Sequence, residues 1–251
     1  MKAVVFIHGY LSSPSDFGVL PSLLKQNYDQ VIQITLPGHG ENDSIKDFNY
    51  YQALVLINEI LPQIFFDYEK VDLIGFSLGG AIARYLAIQY PVNRLVLLAP
   101  SVYYFSPLLI FRRLNYLFQN TSSYGLVNYN LTKGSLIKNL NEHKNQILNH
   151  DKDALKYFLK VIMPKFNLSN GITFVKLINY MNQAQGFIKA STLIIWGYLD
   201  ELVPYFSVKK CYDDCINQEK ELMIIPYVGH MLLRSKNMDD VIIKIKNFLK
   251  G

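Results

Sequence analysis

Three polar side chains of types that can perform acyl transfer each follow a short apolar run. Ser77 closely follows VDLIG, Asp200 follows TLIIWG, and His230 follows ELMIIP. A serine hydroxyl becomes an effective nucleophile when a base takes its proton, and a histidine oriented by a carboxylate is such a base. The carboxyl ends of parallel strands meet at one edge of a sheet. If these runs are parallel strands, the sequence therefore predicts that the three side chains meet.

The surroundings of Ser77 support its choice as the nucleophile. Gly75 stands two residues before it and Gly79 two residues after it, where a strand-like run gives way to a helical pattern of small residues. Glycines lack Cβ atoms and allow a strand and a helix to crowd around a sharp turn. The alternative is a serine N-cap between helix-packing glycines. We favour the nucleophile because Asp200 and His230 accompany it.

The elements that must position these residues alternate along the chain. Apolar runs and helical patterns follow each other, which is typical of an α/β fold with a parallel sheet of about six strands. The expected strands are 3–7, 31–35, 71–75, 94–99, 192–197 and 221–226, and the expected helices are 15–26, 48–66, 78–90, 204–217 and 236–250.

Residues 101–189 interrupt this alternation, because no strand-like run occurs in them. The interval is too long for a simple loop. We interpret it as a helical cap over a core made of 1–100 and 190–251. Its aromatic side chains favour an apolar acyl or aromatic substrate; they include Tyr103, Tyr104, Phe105, Phe111, Tyr116 and Phe118.

Composition argues against several other functions. The net charge is +5 over 251 residues and the lysines are scattered, whereas a nucleic-acid surface needs a concentrated basic stripe. We expect no metal and no cofactor: His143 and His150 have no partner at metal-ligand spacing, and the serine in GFSLGG stands where a dinucleotide fingerprint needs glycine.

The sequence also favours a cytoplasmic setting without stable membrane insertion. The apolar segment 92–111 contains an arginine and two prolines, so we interpret it as a strand and a turn. The chain passes from Met1-Lys2 directly into a core strand, and no signal peptide is visible. Cys211 and Cys215 are the only cysteines. We expect both to be reduced, as suits a reducing compartment.

These motifs together resemble the α/β-hydrolase fold family, and more narrowly its serine carboxylesterases and monoacylglycerol lipases. GFSLG matches the family's G-x-S-x-G nucleophile elbow, and the order Ser77, Asp200, His230 is the family's order. FIHGYLSS, LPGHGEN, LIIWGYLDELVP and VGHMLL are also similar to family segments. The resemblance covers 3–100 and 190–250. Many relatives begin with a two-stranded hairpin, which has no counterpart here, so we expect an entirely parallel sheet.

The resemblance implies a role for each site residue. Ser77 would be the nucleophile, His230 the general base, and Asp200 the acid that orients it. The pattern G-x-x-D-x-x-V-P selects Asp200 over the neighbouring Glu201. The backbone N–H groups of Tyr10 and Leu78 would form the oxyanion hole.

The other histidines near these motifs, and the segment after the fourth strand, are not expected to take part in catalysis. His8 and His39 fit structural roles in turns. The family's other acid position, after the fourth strand, is Ala99-Pro100-Ser101 and holds no carboxylate.

The expected activity is hydrolysis of a small-molecule carboxylic ester through an acyl-enzyme intermediate. One alternative is a triad-dependent lyase or C–C hydrolase, because LPGHGEN also resembles the menaquinone-pathway lyase. Its anionic substrate would require arginines, for which Arg84, Arg112 and Arg113 are candidates. The other alternative is a ligand-binding hydrolase-fold protein with little turnover. The sequence leaves the oligomeric state open.

Overall fold

The computed structural model describes residues 1–103, 145, 152–154 and 156–250. Its centre is a six-stranded sheet in the order β2-β1-β3-β4-β5-β6, and every neighbouring pair is parallel. The strands are β1 (Lys2–Ile7), β2 (Gln30–Ile34), β3 (Lys70–Phe76), β4 (Arg94–Leu98), β5 (Ser191–Gly197) and β6 (Lys220–Ile225). The structure confirms the expected α/β fold with an entirely parallel sheet of six strands.

Burial explains why the inner strands are apolar throughout while the edge strands are not. In β1, β3, β4 and β5 every residue after the first is buried, because helices cover both faces of the sheet. In the edge strands β2 and β6 buried positions are few and exposed ones recur.

The helices follow the expected order but are more often interrupted. They are α1 (Leu20–Leu24), α2 (Tyr50–Val55), α3 (Leu61–Asp67), α4 (Leu78–Gln89), α5 (Leu168–Met181), α6 (Tyr205–Asp214) and α7 (Met238–Lys250). A π-helical segment, Leu56–Ile60, joins α2 to α3, and short 3₁₀ turns include Pro14–Phe17 and Leu232–Arg234. None of the helices in the described ranges is both long enough and apolar enough to cross a membrane.

The strand order places a crevice between β1 and β3. The chain runs from β1 outward to β2 and then returns to the other side of β1 as β3. Ligands in open α/β sheets bind at such a reversal, beyond the carboxyl ends of the strands. The turn after β1 carries Tyr10 and the turn after β3 carries Ser77.

The predicted cap falls largely outside the described residues. Within 101–189 the structure gives a π-helical segment at Phe158–Ile162, a 3₁₀ turn at Met163–Lys165, and α5. Of the aromatic residues proposed to line a pocket, Tyr103 is described, and its ring lies 5.2 Å from that of Phe206. Outside the described residues lie Tyr104, Phe105, Phe111, Arg112, Arg113, Tyr116, Phe118, His143 and His150. The cap stays a prediction.

Candidate active site

Ser77 occupies a strained turn between β3 and α4. Its backbone angles are φ 54° and ψ −114°, which a residue with a side chain rarely adopts. Neighbouring backbone holds the turn: the Ser77 N–H donates to Leu98 O at 2.9 Å, and Ser77 O accepts from Ala81 N–H and Ser101 N–H. A non-glycine residue at positive φ that is fixed on both sides is typical of functional sites.

The turn at Ser77 packs tightly against the end of β1. This close contact explains a glycine on each side of it, Gly79 after Ser77 and Gly9 after β1. A Cβ atom on Gly79 would lie 1.9 Å from Ile7 O, and one on Gly9 would lie 3.0 Å from Ser77 Cβ. Any side chain at Gly79 would therefore force β1 and α4 apart. This close approach places the turn after β1 directly beside Ser77.

His230 is held by a carboxylate, and the structure thereby brings together two of the expected site residues. Its Nδ1 lies 2.8 Å from Oδ2 of Asp200, and both residues are buried. The other carboxylate oxygen, Oδ1, accepts hydrogen bonds from the Leu202 and Val203 N–H groups at 2.9 and 2.8 Å. Because Nδ1–H donates to Asp200, the lone pair of the neutral ring is on Nε2, where it can accept a proton.

The electrostatics of this pair favour a basic imidazole. Burial disfavours the charged ring, but the Asp200 carboxylate, with smaller contributions from Glu201 and Asp16, more than offsets it, and the pKa of His230 is raised above its usual value. The ring packs on Phe76, the residue before Ser77, with centroids 5.0 Å apart. The Ser77 hydroxyl does not hydrogen-bond to His230 in this structure: its Oγ lies 3.1 Å from Oγ of Ser101.

Two neutral histidines shape the turn after β1. Nε2 of His8 accepts from the Leu36 N–H, and Nε2 of His39 accepts from the Leu11 N–H, both at 3.1 Å. Each ring contacts a nearby carbonyl through Nδ1 at 2.8 Å, which fixes the tautomer. Burial lowers the pKa of His8 to about 4 and also lowers that of His39. Both occupy the structural positions that the sequence predicted for them.

Of the two expected oxyanion donors, Leu78 directly follows Ser77 and Tyr10 lies in the turn after β1. Leu78 is the first residue of α4, so its N–H has no acceptor within the helix. Tyr10 lies one residue beyond Gly9, in the turn that contacts Ser77. Its side chain points to α5: the hydroxyl donates to Oδ1 of buried Asn170, and the ring lies 5.0 Å from that of Phe174.

One expected anion-binding candidate is wrong. Arg84 is buried and its guanidinium donates to the Asp214 carboxylate, with Nε 2.7 Å from Oδ2. This pair joins α4 to α6, so Arg84 is a packing residue rather than a substrate ligand.

Sequence reasoning also missed a polar cluster around the buried Asp16 carboxylate. Arg234 donates to Oδ1 of Asp16 at 2.7 Å, Tyr157 donates to the same oxygen at 3.1 Å, and Ser12 donates to Oδ2. The cluster ties the turn after β1 to the segment after His230. Tyr157 and Arg234 stand far from Asp16 in the chain, and neither has a local motif that would have revealed the contact.

No group of three or more histidine, cysteine, aspartate or glutamate side chains suited to a metal occurs in the part of the chain that the structure describes. Cys211 and Cys215 are buried and free.

A profile of the α/β-hydrolase fold matches residues 2–235. The chain therefore belongs to the α/β-hydrolase fold family, as its motifs, its sheet and the turn at Ser77 indicate.

Proteins with similar sequences have names that indicate different activities. A pimeloyl-(acyl-carrier protein) methyl ester esterase of Wigglesworthia glossinidia brevipalpis is 30% identical over 238 residues, which are 90% of this chain and 86% of that protein. A putative 2-succinyl-6-hydroxy-2,4-cyclohexadiene-1-carboxylate synthase of Bacillus subtilis is 35% identical over 100 residues, 38% of this chain and 35% of that protein.

Among solved structures, a monoacylglycerol lipase from Paleococcus ferrophilus superposes with a TM-score of 0.66. It is 20% identical, and the match covers 98% of this chain and 93% of the lipase. At this identity the likeness shows the fold alone.

Proposed function

We propose that the protein is a serine hydrolase that cleaves carboxylic esters through an acyl-enzyme intermediate. The observation that carries the proposal is the His230–Asp200 pair, bonded at 2.8 Å, whose ring packs on the residue before a serine in a strained turn. A nucleophile, a base and an orienting acid are the groups that acyl transfer requires.

The reaction would proceed in two halves. In the first, Nε2 of His230 takes the Ser77 proton as Oγ bonds to the ester carbonyl carbon. The Leu78 and Tyr10 N–H groups stabilise the resulting oxyanion, the bond to the leaving alcohol breaks, and His230 returns the proton to that alcohol. In the second half, water replaces the alcohol and attacks the acyl-enzyme, which releases the acid and restores Ser77.

Three features favour an ester over an anionic lyase substrate. Arg84, one of three candidate anion ligands, is committed to Asp214. A relative aligned over most of both chains is named a methyl ester esterase. Aromatic side chains gather beside the site, where the ring of Tyr10 lies 5.6 Å from Phe48 and 5.0 Å from Phe174. We therefore propose an apolar acyl or aromatic ester as substrate, in a cytoplasmic setting that suits the two free thiols.

A fluorophosphonate probe tests the nucleophile. We expect wild type to be labelled at Ser77 and the Ser77→Ala variant to remain unlabelled. Ser15→Ala is the matched control, because Ser15 is exposed and its hydroxyl contacts Ser13; this variant should label like wild type. An unlabelled wild-type protein would refute the activated serine.

A panel of nitrophenyl esters from acetyl to palmitoyl tests the substrate class. We expect turnover of at least one chain length, lost in Ser77→Ala. Labelling of Ser77 without turnover of any ester would instead favour the lyase or the ligand-binding alternative.

A further inference from the structure

Ser101 is the side chain that the nucleophile contacts in this structure. Its Oγ lies 3.1 Å from Oγ of Ser77, and both residues are buried. Two hydroxyls at this distance share one hydrogen bond, in which one oxygen donates and the other accepts. His230, the base that the reaction requires, is not bonded to Ser77 in this arrangement.

The backbone around Ser101 is held on both sides. Oγ of Ser207 donates to Pro100 O at 2.6 Å and accepts from the Val102 and Tyr103 N–H groups at 2.9 and 3.0 Å. Ser101 itself donates its N–H to Ser77 O at 3.0 Å. Ser207 is fully buried. The Ser101 hydroxyl therefore comes from a segment whose backbone is held in place by the Ser207 side chain and by Ser77 O.

We propose that Ser101 is a positioning residue that holds the Ser77 hydroxyl in a resting orientation. This inference rests on the proposed function. In the reaction the Ser77 proton passes to Nε2 of His230 while Oγ bonds to the carbonyl carbon, so the hydroxyl must first turn from Ser101 to His230. The bond to Ser101 stabilises the ground state and is absent from the transition state, and an interaction of that kind slows the chemical step.

The Ser101→Ala variant should therefore react faster than wild type. A typical hydrogen bond corresponds to about a two- to tenfold change in rate. We expect this gain in the second-order rate constant of fluorophosphonate labelling at Ser77. The pH midpoint of labelling should not move, because the Asp200–His230 pair is unchanged.

Two further variants separate the hydroxyl from packing effects. Ser101→Gly also lacks the hydroxyl and should react faster, whereas Ser101→Thr keeps it and should return toward the wild-type rate. Labelling of Ser101→Ala at or below the wild-type rate, with a native thermal transition, would overturn the proposal.

A crystal structure of Ser101→Ala gives a readout independent of rate. We expect Oγ of Ser77 at about 3 Å from Nε2 of His230. A hydroxyl that stays away from His230 would overturn the resting-orientation proposal. If wild type labels at Ser77 while Ser101→Ala is no faster, this inference fails and the proposed function stands. If wild type does not label at all, the proposed function itself fails.

Discussion

At the scale of the residue, the Asp200 carboxylate has both oxygens committed. Oδ2 bonds to His230, and Oδ1 accepts from two backbone N–H groups. An amide in its place has one accepting oxygen, so it cannot satisfy the loop N–H groups and accept from the imidazole as well. The identity of this side chain therefore determines which ring nitrogen of His230 carries the proton.

Asp200→Asn should lower kcat by about 10⁴-fold, because the imidazole loses its orienting acceptor. With the carboxylate present, the pKa of His230 is raised, so kcat/KM should fall as pH drops through a midpoint above about 6.5. In the asparagine variant that midpoint should move down. A pH profile of ester hydrolysis measures both effects.

Glu201→Gln is the matched control for the neighbouring acid. It should keep kcat near the wild-type value, because the carboxylate bonded to His230 is that of Asp200. The reverse pattern, with a large loss in Glu201→Gln and a small one in Asp200→Asn, would assign the acid to Glu201.

At the scale of the element, side chains that stand far apart in the chain join the turns around Ser77. Ser207, in the first turn of α6, fixes the segment after β4, and Tyr10, in the turn after β1, bonds to Asn170 in α5. Each contact brings a helix to the segment that follows the carboxyl end of a strand. The geometry of the site thus depends on loops whose conformation is fixed by side chains from several different elements.

Ser207→Ala should lower the free energy of unfolding by about 1–3 kcal/mol, because the Val102 and Tyr103 N–H groups lose their acceptor in a buried place. Chemical denaturation measures the loss. Ser235→Ala is a useful comparison, since the Ser235 hydroxyl is also buried but makes one bond, to Leu232 O. An equal or larger loss of unfolding free energy in Ser235→Ala would contradict the proposed role of Ser207 in fixing the segment after β4.

Tyr10→Phe should lower the free energy of unfolding by about 1 kcal/mol, through loss of the bond to Asn170. It should still allow labelling of Ser77, because the proposed oxyanion donor at this position is the backbone N–H. Tyr51→Phe, at an exposed tyrosine, is the control for stability. Complete loss of labelling in Tyr10→Phe would show that the hydroxyl itself is required.

At the scale of the whole molecule, two buried neutral histidines join β1 to the segment after β2. His8 accepts from the Leu36 N–H only while it is neutral, and its pKa in the folded protein is about 4. In the unfolded chain the value is about 6.5. The unfolded state therefore takes up a proton first as the pH falls, and the fold loses stability.

We expect the His8 contribution, about 3 kcal/mol, to be complete above pH 6.5 and to be lost as the pH falls toward about 4. Denaturation of wild type and His8→Gln across this range measures it. The difference in unfolding free energy between the two proteins should shrink as the pH falls. A difference that stays constant with pH would contradict this assignment. His230, whose raised pKa acts in the opposite direction, is common to both proteins.

Short sequence patterns predicted the features that depend mainly on neighbouring residues. The continuous apolar runs indicated six strands buried on both faces, and glycines on either side of Ser77 indicated the turn. Asp200 and His230 could be paired because each follows a strand of one parallel sheet.

The rest depends on contacts between distant residues. Nothing near Arg84 shows that Asp214, 130 residues later, will neutralise it. Likewise, the sequence identifies Ser101 only as a position without a carboxylate, and its hydroxyl contact with Ser77 depends on how closely the ends of β3 and β4 approach each other.

The short stretch from Asp200 to Ser207 has a consequence for exchanging loops between related proteins. At one end it supplies the carboxylate that bonds to His230, and at the other the buried hydroxyl that fixes 100–103. A graft that replaces this stretch alone would change the partner of His230 and release the segment that carries Ser101. A loop exchange should therefore transfer 99–103 and 200–207 together, because each segment depends on the other.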